Sequence, residues 1–336
     1  MNNSTSSAGA NCSPVGPLPS VSVLVRSYHR KESMLKLVDA LLNQDHPDYE
    51  ILVVEQSEWS EVERAPLDSL AAQDSRLRAL YRKPLGLGGC RNEALKHATK
   101  EILLSFDDDD LPIGNQVISG HARNYLDPSV VAVTGRHVYS VNEECGYQNR
   151  SQARRRCLRY NFFGYPHAYC RFDERLESVN WVHGTNGSIR VAVAHRVVGG
   201  WGVSTENDEH PLCLPLQNQL RPKERLVFDP SIKLLRSKDI PGGAAVRFAG
   251  VRRTFANWHR YYHHLVIPNR KLKSLAIYPM FPIVSAFSTL RWIWKDSLSY
   301  TRFEQKLFVS LRTILIWPIW YLLEFTRFSV HPLHRR

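Results

Sequence analysis

No Cys-x-x-Cys pair occurs among Cys12, Cys90, Cys145, Cys157, Cys170 and Cys213. Their scatter gives neither a zinc-ligand spacing nor a disulfide framework, and reduced thiols in a cytosolic setting are expected. Residues 1–20 lack the basic segment and apolar core of a secretion signal. Rich in Ser, Asn, Gly and Pro, they read as a disordered leader. Nowhere does the chain reach the roughly 20 unbroken apolar residues that a spanning helix needs. The glycine cluster near residue 88 is not followed by Gly-Lys-Ser/Thr, which excludes a P-loop, and it lacks the third glycine of a dinucleotide fingerprint. With 43% hydrophobic and 23% charged residues, the composition excludes a fibrous repeat and global disorder.

What is present is a charge divide and a series of short apolar segments. Residues 1–110 carry 12 Lys/Arg against 17 Asp/Glu, a net charge of −5, whereas residues 111–336 carry 32 against 15, a net charge of +17. A divalent cation in the first part and anionic partners for the second would balance that divide. Segments 21–25, 49–54, 101–106 and 130–134, with a weaker 77–81, read as strands, and 33–42 and 92–99 as helices. Strands that are apolar throughout predict an α/β fold with a mostly parallel, Rossmann-like sheet and helices on both faces. Ligands of such sheets bind at the carboxyl ends of the strands.

Those ends carry the candidate chemistry. Ser105-Phe106 leads into Asp107, Asp108, Asp109 and Asp110, then Leu111-Pro112. Adjacent carboxylates repel and raise one another's pKa unless a cation neutralises them. Hard oxygen ligands select Mg2+ or Mn2+, and such a row makes half a metal site whose other half is a diphosphate. A solvated acidic turn is the alternative. Upstream, Gly86-Leu-Gly88-Gly89-Cys90-Arg91-Asn92 offers close backbone approach, free N–H groups at a helix start and an arginine for phosphate.

In order, Val21-Ser-Val-Leu-Val-Arg-Ser27-Tyr28-His29-Arg30, Tyr49-Glu-Ile-Leu-Val-Val-Glu55-Gln-Ser57, Gly88-Gly-Cys-Arg91-Asn92 and Phe106 to Asp110 resemble the family 2 glycosyltransferases, over residues 21 to about 216. The resemblance implies a GT-A fold and a nucleotide-sugar donor. It places Ser27 and Tyr28 beside the nucleotide, and Glu55, where Asp is usual, against the base or ribose. Arg91, Asn92, Asp107 and Asp108 join the nucleotide-sugar site, and Asp109 with Asp107 holds the metal that bridges the diphosphate. Gly184-Thr-Asn186-Gly-Ser188-Ile-Arg190 and Val198-Gly-Gly-Trp201 are similar to the family's acceptor-side block, which puts Asn186 and Trp201 there. Asp208-Glu209-His-Pro-Leu212-Cys-Leu214 matches the acidic pair before an apolar helix, with the pair in reversed order. The match makes Glu209 the general base and Asp208 its neighbour, with Glu206 a further candidate. An inverting transfer is a single displacement and needs one such base. The Gln-x-x-Arg-Trp of processive synthases is absent after Glu209, which favours single addition.

Segments 274–290 and 313–323 are uncharged and broken by prolines; the second holds Trp317, Trp320 and Tyr321, and Lys273, Arg291 and Arg312 border them. A helix lying in the headgroup region uses those residues; packing against the core and true spanning are the other readings. The expected division is a leader (1–20), a GT-A domain (21–240, with nucleotide-sugar half 21–135 and acceptor half 136–240) and a C-terminal amphipathic, membrane-associating helical region (241–336). The expected activity is hexosyl or deoxyhexosyl transfer to a glycan or lipid-linked acceptor in cell-surface glycan or glycolipid synthesis. Its expected place is the cytoplasmic face of the membrane, peripheral or monotopic, on an anionic membrane surface. No nucleic acid is expected as a partner, because the five arginines between 150 and 159, though near aromatics, accompany no nucleic-acid-binding motif. A nucleotidyltransferase and a non-catalytic membrane scaffold are the alternatives.

Overall fold

The computed structural model describes residues 16–138, 172–197 and 209–236, with shorter pieces between and beyond them. Asp208, Glu206 and most of 241–336 lie outside the described residues. In chain order the elements are β1 (Val21–Ser27), α1 (Lys31–Leu42), β2 (Tyr49–Glu55), α2 (Glu61–Gln73), β3 (Leu77–Tyr81), α3 (Gly86–His97), β4 (Ile102–Asp107) and β5 (Asp110–Pro112). They continue with α4 (Val117–Asn124), β6 (Val130–Val138), β7 (Arg159–Tyr160), β8 (Pro166–His167), β9 (Leu176–Val179), β10 (Gly187–Arg190), α5 (Val191–Ala194), α6 (His210–Gln219) and β11 (Arg225–Arg236).

One nine-stranded sheet has the order β3-β2-β1-β4-β10-β6-β11-β5, with β9 on β11. Its first four strands are parallel, as the apolar runs predict. Beyond them β10 runs antiparallel to both β4 and β6, and β11 returns parallel to β6 while pairing antiparallel with β5 and β9.

The central strands are largely apolar because alternate side chains enter two cores. Val21, Val23 and Val25 of β1 pack with α1 (Met34, Leu37, Val38, Leu41) and α4 (Val117, Ile118, Ala122) on one face. Leu24, with Leu52, Val54 and Leu103, packs with α3 (Cys90, Ala94, Leu95) and α6 (Leu212, Cys213, Leu216) on the other. Each buried Val, Leu, Ile or Met side chain among them contributes about 1.5–3 kcal/mol through removal from water. The glycine cluster differs from expectation. Gly86, at φ +76, begins α3 itself, so Gly88 and Gly89 lie in its first turn and Arg91 follows on the same helix.

Candidate active site

The aspartate row leaves the sheet at the end of β4. Asp107 closes β4, and Asp110 opens β5, which pairs with Leu234–Arg236 of β11 and returns the chain across the sheet edge. Asp107 is ion-paired with Arg26 and lies 3.8 Å from Arg236. Burial works against its charge, but Arg26, Arg236 and Arg91 outweigh that penalty and hold its carboxyl well below the ordinary range. Asp108 turns inward: Oδ2 accepts the Tyr28 N–H at 3.0 Å, Oδ1 accepts Arg30 at 3.0 Å, and the Ser33 hydroxyl donates to its carbonyl. Burial still pushes its carboxyl up to about 7. Arg30 also reaches Asp109 at 2.7 Å, and burial together with neighbouring Asp107 raises Asp109.

Asp110 is fully buried. Its Oδ2 accepts the Thr185 hydroxyl, while its Oδ1 has no partner among the described residues, and burial pushes the carboxyl up to about 8. Asp107, Asp109 and Asp110 bring carboxylate oxygens within 4.8 Å of one another. Three hard oxygen donors, with an unpartnered interior oxygen on Asp110, fit Mg2+ or Mn2+. Asp110 is thus a candidate ligand beyond the Asp107 and Asp109 pair read from the sequence.

The turn entering β10 meets this row. The Asn186 N–H donates to the Ser105 carbonyl at 2.9 Å, and the Asp107 N–H donates to the Thr185 hydroxyl at 3.3 Å. Gly184 is the junction. Its carbonyl accepts Arg91 Nη2 at 2.5 Å, and its N–H donates to Glu209 Oε1 at 3.0 Å. A Cβ at position 184 would overlap both the guanidinium and the carboxylate. Arg91, 1% exposed, comes from α3, and Glu209 is the residue that precedes α6. Sequence and structure therefore bring Asp107, Asp109, Arg91 and Glu209 to one sheet edge.

Ser27 and Glu55 are paired in the β1–β2 register, and both are buried. Glu55 Oε1 accepts the Ser57 N–H at 2.6 Å, but its Oε2 and the Ser27 hydroxyl lack partners among the described residues. Unsatisfied buried polar atoms are rare, and two at adjacent strand ends mark where ligand groups would supply the missing bonds. Tyr28 follows, partly exposed, with its ring edge-on to His29 at 4.1 Å.

Three expected residues are engaged within the chain. Asn92 Oδ1 accepts the Trp201 N–H at 3.0 Å, which clasps the Gly200–Trp201 turn to α3. Trp201 is 5% exposed with its ring in the core. Asn186 is fully buried at φ +52; its amide donates to the Arg136 and Ile232 carbonyls, and its oxygen meets His121 Nε2 at 3.0 Å. Asn186 and Trp201 therefore present no surface to an acceptor, because packing and backbone bonds already occupy them. Arg26, Arg30, Arg236, Gly184 and Thr185 were not singled out from the sequence as site residues. The arginines sit on strands or loops that become neighbours of the row only through the register of β1, β4 and β11.

The fold is that of the GT-A glycosyltransferases. It matches the mannosyltransferase PcManGT of Pyrobaculum calidifontis, whose structure holds GDP-Man and Mn2+, at TM-score 0.52 and 15% identity, covering 93% of this chain and 85% of that one. It matches residues 1–349 of S. aureus TarS in complex with UDP-GlcNAc at TM-score 0.52 and 14% identity, covering 83% and 76%. The model of Glycosyl transferase family 2 matches residues 22–182, the stretch that holds the four parallel strands and the aspartate row. An uncharacterized glycosyltransferase of Rickettsia felis is 29% identical over 91 residues, and one of Rickettsia bellii 25% identical over 97. These stretches cover 27% and 29% of this chain but only 15% and 14% of those relatives.

Proposed function

We propose that this glycosyltransferase moves a sugar, with inversion, from a nucleoside-diphosphate donor to a hydroxyl acceptor, using Mg2+ or Mn2+. The observation that carries the proposal is the meeting of Arg91 and Glu209 at Gly184, beside the aspartate row. GDP-Man and UDP-GlcNAc in the structural neighbours support a nucleotide-sugar as donor.

Each group then has a role. The Ser27 hydroxyl and Glu55 Oε2 bond the nucleoside, with Tyr28 beside it, and Asp108 fixes the turn that carries Tyr28. Asp109 and Asp110, with Asp107, would hold the cation, which when bound supplies positive charge against the growing charge of the leaving diphosphate. Arg91 adds a fixed cation at the same edge, and Asn92 holds the helix bearing it to the Gly200–Trp201 turn. Glu209, oriented by the Gly184 N–H, accepts the proton of the acceptor hydroxyl on the face opposite the leaving group, with Asp208 as its neighbour.

The acceptor in this reading is a glycan or a lipid-linked sugar, the transferred group a hexose or deoxyhexose, and the setting cell-surface glycan or glycolipid synthesis at the cytoplasmic membrane face. Helical residues 303–311 support contact with a bilayer surface, since Phe303, Leu307, Phe308 and Leu311 are exposed there. No helix among the described residues is long and apolar enough to cross a membrane.

A thermal-shift screen of nucleotide-sugars with Mn2+ identifies the donor as the stabilising compound. With that donor, Asp109→Asn is expected to lower transfer at least about 100-fold while the protein stays folded. Turnover like wild type would remove the metal role. Release of pyrophosphate in place of a nucleoside diphosphate would identify nucleotidyl transfer instead.

A further inference from the structure

The turn at Gly184 carries one more group with an unused bond. His183 Nδ1 accepts the Thr185 N–H at 3.3 Å, so the ring proton resides on Nε2. That Nε2–H has no protein partner among the described residues. His183 is partly exposed, whereas Trp181, Val182, Gly184 and Thr185 around it are buried. The ring is fixed on two sides: it stacks on Trp181 with centroids 5.9 Å apart, and His137 meets it edge-on at 4.4 Å. His137 is itself anchored to the Thr185 carbonyl at 3.0 Å, and Trp181 is backed by His210 at 4.8 Å.

The chain places this rigid donor beside the junction of the two halves of the site. The next residue holds Glu209 and Arg91, and the one after it bonds Asp107 and Asp110. Arg236, Arg91 and Arg26 act on the ring from around it, with Asp107 the opposing charge. Burial and those cations push the imidazole down to about 3, so it stays neutral and acts only as a hydrogen-bond donor. A neutral donor in the field of three guanidinium groups suits a polyanion. Arginines supply the charge for phosphate, and the imidazole adds direction to one oxygen.

We infer that His183 is a further substrate-contacting residue, its Nε2–H hydrogen-bonding the diphosphate of the nucleotide-sugar donor; the inference rests on the functional reading above. The test is calorimetric titration of the full chain in Mn2+ with UDP, GDP, dTDP and CDP, and with the matching nucleosides, for wild type, His183→Phe and His183→Gln. The phenylalanine keeps the stacking area and removes the donor; glutamine restores an N–H. His183→Phe is expected to weaken the best-bound nucleoside diphosphate about tenfold and leave the nucleoside unaffected, with His183→Gln within about threefold of wild type. The inference is overturned if the phenylalanine variant binds the diphosphate as wild type does, if it weakens nucleoside and diphosphate alike, or if glutamine rescues nothing. Wild-type protein that binds none of the four diphosphates would overturn the functional reading as well. Wild-type binding with an indifferent His183→Phe sinks this inference alone.

Discussion

Arg91 and Glu209 reach Gly184 from separate elements and bond its carbonyl and its N–H. A methyl group at that position would occupy the space of both, so Gly184→Ala is expected to displace the guanidinium and the carboxylate together. Misplacement by about 1 Å costs on the order of 100-fold in rate, so transfer should fall by that factor in protein that still melts cooperatively, with stability lowered by about 1–3 kcal/mol from the overpacking. Steady-state kinetics beside a melting curve would check it, and unaltered turnover would detach Gly184 from the chemistry. Residue by residue, the acidic row was legible because four adjacent carboxylates are chemically conspicuous, and Glu55 because it ends an apolar strand. Arg26 and Arg236 were not, since an arginine at a strand end declares nothing until the register sets it against Asp107. Asn186 read as an acceptor-side residue through the resemblance of Gly184–Arg190 to the family's block, although its amide is spent on the interior.

At the scale of elements, β1, β2 and β4 were readable because both of their faces are covered. Helix α2 was not: Leu67 is its only fully buried residue, Pro66 lies inside it, and its clearest signal is the Ser60–Glu63 capping box. Strand β10 has four residues, two of them Gly and Ser, too few for a period-2 pattern. Its link to α4 is polar. His121 of α4 meets the Ser188 hydroxyl at 2.8 Å and Asn186 at 3.0 Å, and Tyr125 shares that hydroxyl. Burial lowers His121 to about 4, against about 6.5 for a free imidazole. Between those values the unfolded chain binds the proton and the folded chain does not, so stability is complete above pH 6.5 and falls as pH drops towards 4. The expected loss is about 3 kcal/mol from this group. Urea unfolding across that pH window should show a shallower decline in His121→Gln than in wild type, and parallel declines would contradict the assignment.

For the whole molecule, the charge divide follows the division of labour. The acidic part builds the row, and the basic part includes helical residues 303–311 with their exposed Phe303, Leu307, Phe308 and Leu311. Binding to vesicles containing anionic lipid is expected to weaken about tenfold between roughly 0.1 M and 0.5 M salt, and to weaken further in Phe303→Ser. Sedimentation with vesicles measures it, and binding indifferent to salt and to lipid charge would point to packing against protein. Residues 1–15 of the expected leader and most of the expected C-terminal region lie outside the described residues, whereas Leu18 packs on the core and the Ser20 N–H donates to Glu101 at 3.3 Å. The junction of the nucleotide half with the acceptor half depends on the direction of β10. An antiparallel strand starts where its parallel neighbours stop; reversed, β10 would open its turn at the opposite rim, roughly 13 Å away at about 3.3 Å per residue. The rim of the candidate site is therefore a late product of folding. Among the described residues its two sides are joined by contacts between residues far apart in sequence, so a nascent chain that has finished the first four parallel strands still lacks Glu209, and under the proposed function activity would report completion of the whole sheet.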